Sequence, residues 1–480
     1  MDTRFNKRLG DIFITKPRRS EIAPITFNVN QRRINTRTFP SPLILVGVFL
    51  ALILVGAFLL SAPFAHHEQG WGDPVLSIFT ATSAVTVTGL IIVDTATYWT
   101  PIGQVIILLL MFVGGLGFMT LAAFLLAVLG QRVSMAQRLL IRETLGSENM
   151  GGIQRLSVTI VIAAISIQII GFLALFARFL FSESLSESPG EAAWQALFHS
   201  VSGFNNAGFV ILNHSDGLHA FREDFVVLSI IGWLIILGSL SFWVVVDLVS
   251  KDSIRKFSLV SKIVLSMTIV LIITGTLFFL FAESNNPKTI GDLPLNAQIG
   301  VSIFEGVSGR TAGFSTIDYG YARPATDVFM SLLMFIGGAT GSVAGGIKVT
   351  TFFIIVLSVV AIIRERANVT AFGREIPPTT VRRSYAVAIV CLAFIFLCTL
   401  CLALTNSHVL IRDLAFESVS AFGTVGLSTG ATGELNALGH VIVAITMFIG
   451  RVGPIIVGLR MVPNREASPY RYATEPVTIG

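Results

Sequence analysis

Apolar residues along this chain gather into long runs that carry almost no charge, among them Pro42 to Ala62 and Gly103 to Val128. Each run exceeds the roughly 20 apolar residues that a helix needs to cross a bilayer. Shorter apolar stretches lie between them, and at about ten residues and ~15 Å they fall short of crossing. The pattern predicts four quarters after a polar tail. Each holds a spanning helix, a half-length helix, a glycine turn and a second spanning helix. The first uses Pro42–Ala62, Asp73–Ser83 and Ile102–Leu129; the second Leu156–Phe181, Ala192–Val201 and Phe225–Leu248. The third uses Val260–Phe281, Ala297–Val307 and an interrupted Val328–Ile363; the fourth Tyr385–Leu404, Leu414–Ser420 and Val441–Leu459. The expected fold is all-α and integral to the membrane. It has eight transmembrane helices in four pseudo-fourfold helix–pore-loop–helix repeats around one pore. Its boundaries are a basic tail 1–41, repeat 1 at 42–129, cytoplasmic loop and repeat 2 at 130–249, and cytoplasmic loop and repeat 3 at 250–363. Repeat 4 with its preceding loop occupies 364–461, and a C-terminal tail 462–480.

The repeat shows in the residues as well as in the hydropathy. Four phrases open on phenylalanine and close on glycine: Phe79 to Gly89, Phe198 to Gly208, Phe304 to Gly313 and Phe416 to Gly426. The closing glycines lie 119, 105 and 113 residues apart, and the third phrase is one residue shorter. A recurrence of this kind, at a spacing of 105 to 119 residues, marks one structural unit used repeatedly. Non-helical backbone at bilayer depth survives only where protein or a water-filled cavity surrounds it, so the turns are expected to line a pore.

The candidate pore-lining strips are Thr86-Val87-Thr88-Gly89, Asn205-Asn206-Ala207-Gly208, Arg310-Thr311-Ala312-Gly313 and Gly423-Thr424-Val425-Gly426. None contains a carboxylate, so a ring of acids is not the selective device. Backbone carbonyls from four strips can replace the water around a monovalent cation. The half-helices would aim their partially negative C-terminal ends at the same point, which favours a cation. The bland alternative is four ordinary glycine turns between helices.

Composition narrows the class. Just over half the residues are apolar and only 13% are charged, which excludes a disordered chain and disfavours a water-soluble one. The net charge of +5 is a matter of placement rather than of nucleic-acid binding. Nine of the 33 Lys and Arg precede Ser41. Others cluster at Arg132, Arg138, Arg142 and Arg155, at Lys251, Arg255, Lys256 and Lys262, and at Arg364, Arg366, Arg374, Arg382 and Arg383. Arg460, Arg465 and Arg471 lie near the C-terminal end. By the positive-inside rule both termini and these connections face the cytoplasm. Cys391, Cys398 and Cys401 share one apolar helix and read as packing residues. No transition-metal spacing links His66, His67, His199 and His214.

The strips and their flanks resemble the Trk/Ktr/HKT superfamily of potassium transport proteins over roughly residues 42–461, and within it the Ktr-type membrane subunit. The most specific stretches are Val85-Thr86-Val87-Thr88-Gly89-Leu90, Phe204-Asn205-Asn206-Ala207-Gly208-Phe209, Arg310-Thr311-Ala312-Gly313-Phe314 and Met447-Phe448-Ile449-Gly450-Arg451-Val452-Gly453-Pro454. The resemblance implies one pore per chain and potassium ions held at Gly89, Gly208, Gly313 and Gly426. It implies a homodimer in the bacterial inner (plasma) membrane, and a cytoplasmic RCK-type ring that binds an adenine nucleotide. In that superfamily glycine rather than serine at the first of these positions goes with potassium over sodium. Sodium conduction, weak selectivity and a secondary transporter of another solute are the alternatives. An enzyme is disfavoured, because Asp247, Glu305 and Glu417 scatter over three repeats and no nucleophile triad or phosphate loop is present.

A candidate gate interrupts the third quarter: Gly337-Gly338-Ala339-Thr340-Gly341-Ser342-Val343-Ala344-Gly345-Gly346, followed by Lys348. Five glycines in ten residues cannot hold a helix interior, at about 1 kcal/mol lost per glycine relative to alanine. The resemblance implies an intramembrane gating loop; close helix packing is the alternative. Charged residues in apolar sequence complete the set. Arg178 is expected to snorkel. Lys348 either snorkels or adds a barrier. Arg451 either pairs with a pore-helix carboxylate or carbonyl or faces the ion path. Arg310 is expected to pair with Glu305 or Glu417. Those glutamates are read as lying near the starts of their half-helices, where they favour the positive helix end or pair with arginine, rather than as cation ligands.

Overall fold

A computed structural model describes residues 43–117, 153–181, 188–212 and 217–460. Leaving single turns unlabelled, the first quarter has α1 (Leu43–Leu60), α2 (Pro74–Thr86) and α3 (Pro101–Leu116). The second has α4 (Ile153–Leu180), α5 (Pro189–Phe204), α6 (Phe225–Ser239) and α7 (Phe242–Ser250). The third has α8 (Leu259–Glu283), α9 (Leu295–Thr311), α10 (Pro324–Phe335) and α11 (Val349–Ile363). The fourth has α12 (Pro378–Thr405), α13 (Ile411–Gly423) and α14 (Ala437–Arg460). Proline at the first turn and a capping side chain explain many of the starts. Asp73 accepts from Val75 N, Thr100 from Gly103 N, Ser188 from Glu191 N, and Asp224 from Val226 N and Val227 N.

Within each quarter three helices pack on one another, the short one between the two flanking ones: α1–α2–α3, α4–α5–α6, α8–α9–α10 and α12–α13–α14. The last of each trio also packs on the short helix of the next quarter, in the pairs α3–α5, α6–α9, α10–α13 and α14–α2. That chain of contacts closes on itself. The short helices are buried along most of their length although they carry Ser, Thr, Asn and Glu. The first helices present large apolar side chains outward instead, including Ile170, Ile269 and Phe396. Polar residues inside and apolar residues outside suit a hydrocarbon solvent. This is a membrane protein.

Among the described residues three helices are long and apolar enough to cross a bilayer: Ser157–Leu180, Leu259–Glu283 and Pro378–Thr405. A bent pair, α6 with α7, qualifies jointly. Several expectations need correction. The half-length helices run 13, 16, 17 and 13 residues rather than about ten. The expected single helix Phe225–Leu248 is two helices at 100°. A small hairpin pairs Thr370–Ala371 with Arg374–Glu375 in an otherwise helical chain. The expected tails 1–41 and 462–480, the part of the first quarter beyond Gly117, most of the basic connection after Gly130, and His214 lie outside the described residues.

Candidate functional site

The ends of the short helices build the site. In α2, α5 and α13 the chain leaves the helix through one residue with positive φ: Val87 (52°), Asn206 (55°) and Thr424 (48°). The hydrogen bonds around them match. Val87, Asn206 and Thr424 donate N–H to Ala84, Gly203 and Ala421 O at 3.2, 3.1 and 3.2 Å. The following residues, Thr88, Ala207 and Val425, donate to Ser83, Ser202 and Ser420 O at 2.8, 2.9 and 3.0 Å. This is a Schellman-type ending. Holding a β-branched residue at positive φ costs on the order of 1–3 kcal/mol, offset here by these paired bonds. The third turn lacks that left-handed residue: Ala312 N–H reaches Ser308 O directly, at 2.8 Å. The one-residue deletion in the third phrase is the loss of this position.

The four closing glycines all have positive φ: 86° at Gly89, 71° at Gly208, 71° at Gly313 and 103° at Gly426. They also border one another. A β-carbon on Gly89 would collide with Ala207 O, one on Gly208 would lie 2.6 Å from Ala312 O, one on Gly313 would collide with Val425 O, and one on Gly426 with Thr88 O. Each glycine thus abuts the carbonyl that precedes the next glycine, and the fourth returns to the first. The strips form a closed ring of backbone.

A serine at the same place in each phrase anchors each strip. Ser83 and Ser420 Oγ accept the N–H of Gly89 (3.0 Å) and Gly426 (3.1 Å). Ser202 and Ser308 Oγ donate to Phe209 O (2.9 Å) and Phe314 O (2.6 Å). Thr86 Oγ1 bonds Thr88 Oγ1 at 2.8 Å, and Asn205 Nδ2 donates to Val201 O at 2.9 Å. The Asn206 amide, turned so that both ends are satisfied, accepts from Thr311 Oγ1 at 2.9 Å and donates to Ile235 O and Gly203 O. This bond joins the second strip to the third. These serines are not among the residues singled out from the sequence; their recurrence four residues after each phenylalanine is the available signal.

Glu305 and Glu417 lie inside α9 and α13, not near their starts, and among the described residues neither forms an ion pair with an arginine. Glu305 accepts from Thr316 N, Thr316 Oγ1 and Tyr319 Oη, each at 2.7 Å. Glu417 accepts from Ser428 Oγ (2.5 Å), Thr429 N (3.1 Å) and Thr432 Oγ1 (2.5 Å). Both carboxylates strap down the chain that leaves the ring. Arg222, outside the helices, adds a strap by donating Nε to Thr316 O at 2.5 Å. Burial lowers its pKa, against the raising pull of Glu305 and Asp318. The expected Arg310 partners are therefore wrong. Its guanidinium is buried and donates to Ser239 Oγ (3.0 Å) and Thr268 Oγ1 (3.3 Å).

The glycine-rich segment between α10 and α11 is a compact coil. It is closed by Gly337 N to Ile347 O (2.8 Å), Ile347 N to Phe335 O (3.2 Å) and Val349 N to Gly338 O (3.2 Å). It lies against the fourth turn, since a β-carbon on Gly345 would strike the Thr424 side chain. Arg451 donates to the carbonyls of Val343, in this coil, and Gly114, at 2.9 Å for the latter, rather than to a pore-helix group. Lys348 Nζ turns back to Ala344 O (2.7 Å), and Thr340 Oγ1 lies 3.4 Å from Thr350 Oγ1. Arg178 meets Asp224 at 2.9 Å. Cys398 packs on Thr446, and the three thiols are free. Among the described residues no group of three or more His, Cys, Asp or Glu has the arrangement of a metal site.

The fold is similar to that of the crystal structure of the potassium transporter TrkH from Vibrio parahaemolyticus. The two share a TM-score of 0.68 at 18% identity, over 88% of this chain and 84% of that one. Residues 43–467 match the family model for the TrkH cation transport protein. Among curated relatives, the Ktr system potassium uptake protein B of Bacillus subtilis is 38% identical over 87% of this chain and 92% of its own length. The potassium/sodium uptake protein NtpJ of Enterococcus hirae is 35% identical over 94% of this chain and all of its own. The chain belongs to the TrkH cation transport family, as a membrane subunit of the Trk/Ktr/HKT group and a transporter rather than an enzyme.

Proposed function

We propose that this protein takes up potassium ions through the ring of four turns. The repeats would comprise eight spanning segments around one axis. In each, the strip ending at Gly89, Gly208, Gly313 or Gly426 would offer carbonyl oxygens in place of the ion's water. The observation that carries the reading is the closed succession of glycines and carbonyls around four quarters. It needs no carboxylate, and the two nearby glutamates are already engaged by their straps. Potassium as the cargo accords with the name of the Bacillus subtilis relative.

The coil 337–346 would gate the path below the ring, with Arg451 fastening it to α3 and α14. The relatives' membership of a Ktr system supports a regulatory partner. We take that partner to be a cytoplasmic nucleotide-binding ring, facing a homodimer with both termini in the cytoplasm of the bacterial inner membrane. A second reading, conduction of sodium beside potassium, is favoured by the name of the Enterococcus hirae relative, a potassium/sodium uptake protein.

Uptake of rubidium-86 and of sodium-22, in a bacterial strain lacking its own potassium systems, tests both. Rubidium well above sodium supports the first reading, and comparable entry of both supports the second. Entry of neither from a correctly inserted protein removes both. Shortening the coil by residues 339–344 should raise uptake in the absence of a partner; unchanged uptake would end its role as a gate.

A further inference from the structure

The break between α6 and α7 has no proline to cause it; the sequence there is Gly238-Ser239-Leu240-Ser241. A break in a helix withdraws the helical donors from its last carbonyls. Continued as one helix, Phe242 and Trp243 would donate N–H to the carbonyls four residues back, those of Gly238 and Ser239. In the bent form those same oxygens accept from the glycine-rich coil. Ala339 N–H reaches Ser239 O at 3.2 Å, and Val343 N–H reaches Gly238 O at 3.4 Å. Ser241 gives α7 no side-chain cap, and its φ of −66° and ψ of 143° are those of a residue outside a helix. Arg310, at the foot of the third strip, holds the bent end through Ser239 Oγ.

We infer that α6–α7 and the glycine-rich coil compete for the carbonyls of Gly238 and Ser239, so that the second quarter latches the coil when bent and releases it when straight. Both carbonyls belong to the last turn of α6, and the coil's amides now stand in for those of Phe242 and Trp243, so the coil and a continued helical turn would occupy the same place. The inference rests on the reading of the coil as a gate only for its effect on flux; the competition for acceptors stands apart from it. Ser239 and Arg310 act as positioning residues, because they hold the broken helix end that the coil docks on. Arg310 also belongs to a strip of the ring, so the latch reaches the third turn without touching an ion.

Phe242→Pro is the decisive variant. Residue 242 is the first of α7, a position that tolerates proline, and the extended backbone of Ser241 suits a residue before proline. Proline has no N–H, so the straight form loses a donor while the bent form loses nothing. Phe242→Ala removes the same ring but keeps the N–H, and serves as the control. In proteoliposomes containing the full chain, Phe242→Pro should lower rubidium-86 uptake about tenfold or more relative to Phe242→Ala, in a chain whose coil is intact. Ser241→Ala, which favours the continuous helix, should raise it roughly twofold.

Spin labels at Val226→Cys and Val249→Cys read the bend itself, with Cys391, Cys398 and Cys401 changed to alanine. Both positions are exposed. The backbone separation is about 22 Å with the two helices at their present angle and about 35 Å if straight. Shortening the coil should shift the population toward the longer distance, and adding Phe242→Pro should abolish that shift. If the distance lengthens without any change in uptake, the competition holds and the coil is not the gate. If uptake rises while the distance stays near the shorter value, the coil gates without this latch and the inference is wrong. A lengthening that persists after Phe242→Pro is added would also overturn it.

Discussion

The four anchoring serines make unequal demands, and removing them one at a time should separate two kinds of loss. Ser83 and Ser420 accept the amide protons of ring glycines Gly89 and Gly426. Alanine at either place leaves a buried N–H without its partner, at a cost of about 1–3 kcal/mol. Ser202 and Ser308 instead donate to the carbonyls of Phe209 and Phe314. Alanine there takes one donor from an oxygen with two lone pairs, and under-satisfied carbonyls are better tolerated than orphaned amides. If the first cost falls on the ordered ring, its population relative to a relaxed ring drops roughly 5- to 150-fold. Ser83→Ala and Ser420→Ala should therefore each lower the ratio of rubidium-86 to sodium-22 uptake by about fivefold or more. Ser202→Ala and Ser308→Ala should lower it by less than about twofold. Proteins matched for insertion by fluorescence size-exclusion are the required comparison. Four equal effects, or the reverse order, would refute the reasoning.

Three further outcomes follow from the same geometry. Gly313→Ala places a β-carbon against Val425 O at a φ of 71°, so uptake should be lost and the solubilised protein should melt lower than the parent, with membrane insertion retained. Glu417→Ala removes the acceptor for three donors and should destabilise the detergent-solubilised protein by about 3 kcal/mol or more, measured by thermal unfolding. Glu417→Gln, which keeps one carbonyl oxygen, should melt between that variant and the parent. Arg178→Ala breaks an ion pair whose arginine side chain is 38% exposed and should cost less than about 1 kcal/mol, with uptake unaltered.

The ring's location was legible in the chain because its requirement is chemical. Only glycine accepts the positive φ and the close approach, so the four closing positions share one residue type. The left-handed turn before three of these glycines was not legible. Val87, Asn206 and Thr424 have no residue type in common, and their left-handed shape is imposed by the helix ending beneath them. The α6–α7 break was hidden for a similar reason. Gly238-Ser239-Leu240-Ser241 sits in apolar sequence without a proline, and the partners at the break, the amides of Ala339 and Val343 and the Arg310 side chain, come from another quarter. Arg310 itself was assigned to carboxylates on charge alone. Three turn-flanking hydrogen bonds to each glutamate had already claimed those oxygens, and hydroxyls were left for the guanidinium. A further regularity passed unread: Gly114, Gly238, Gly337 and Gly450 each lie thirteen residues after the start of the last helix of their quarter or its first half. At three of them, Gly114, Gly238 and Gly450, a carbonyl from the end of the short helix presses where a β-carbon would sit.

Anomalous diffraction from crystals grown in thallium or rubidium bears most directly on the ion path. A peak encircled by the strips of Gly89, Gly208, Gly313 and Gly426, coordinated by backbone oxygens from all four, is the expected result. A peak held by carboxylates elsewhere, with none among these four strips, would contradict it.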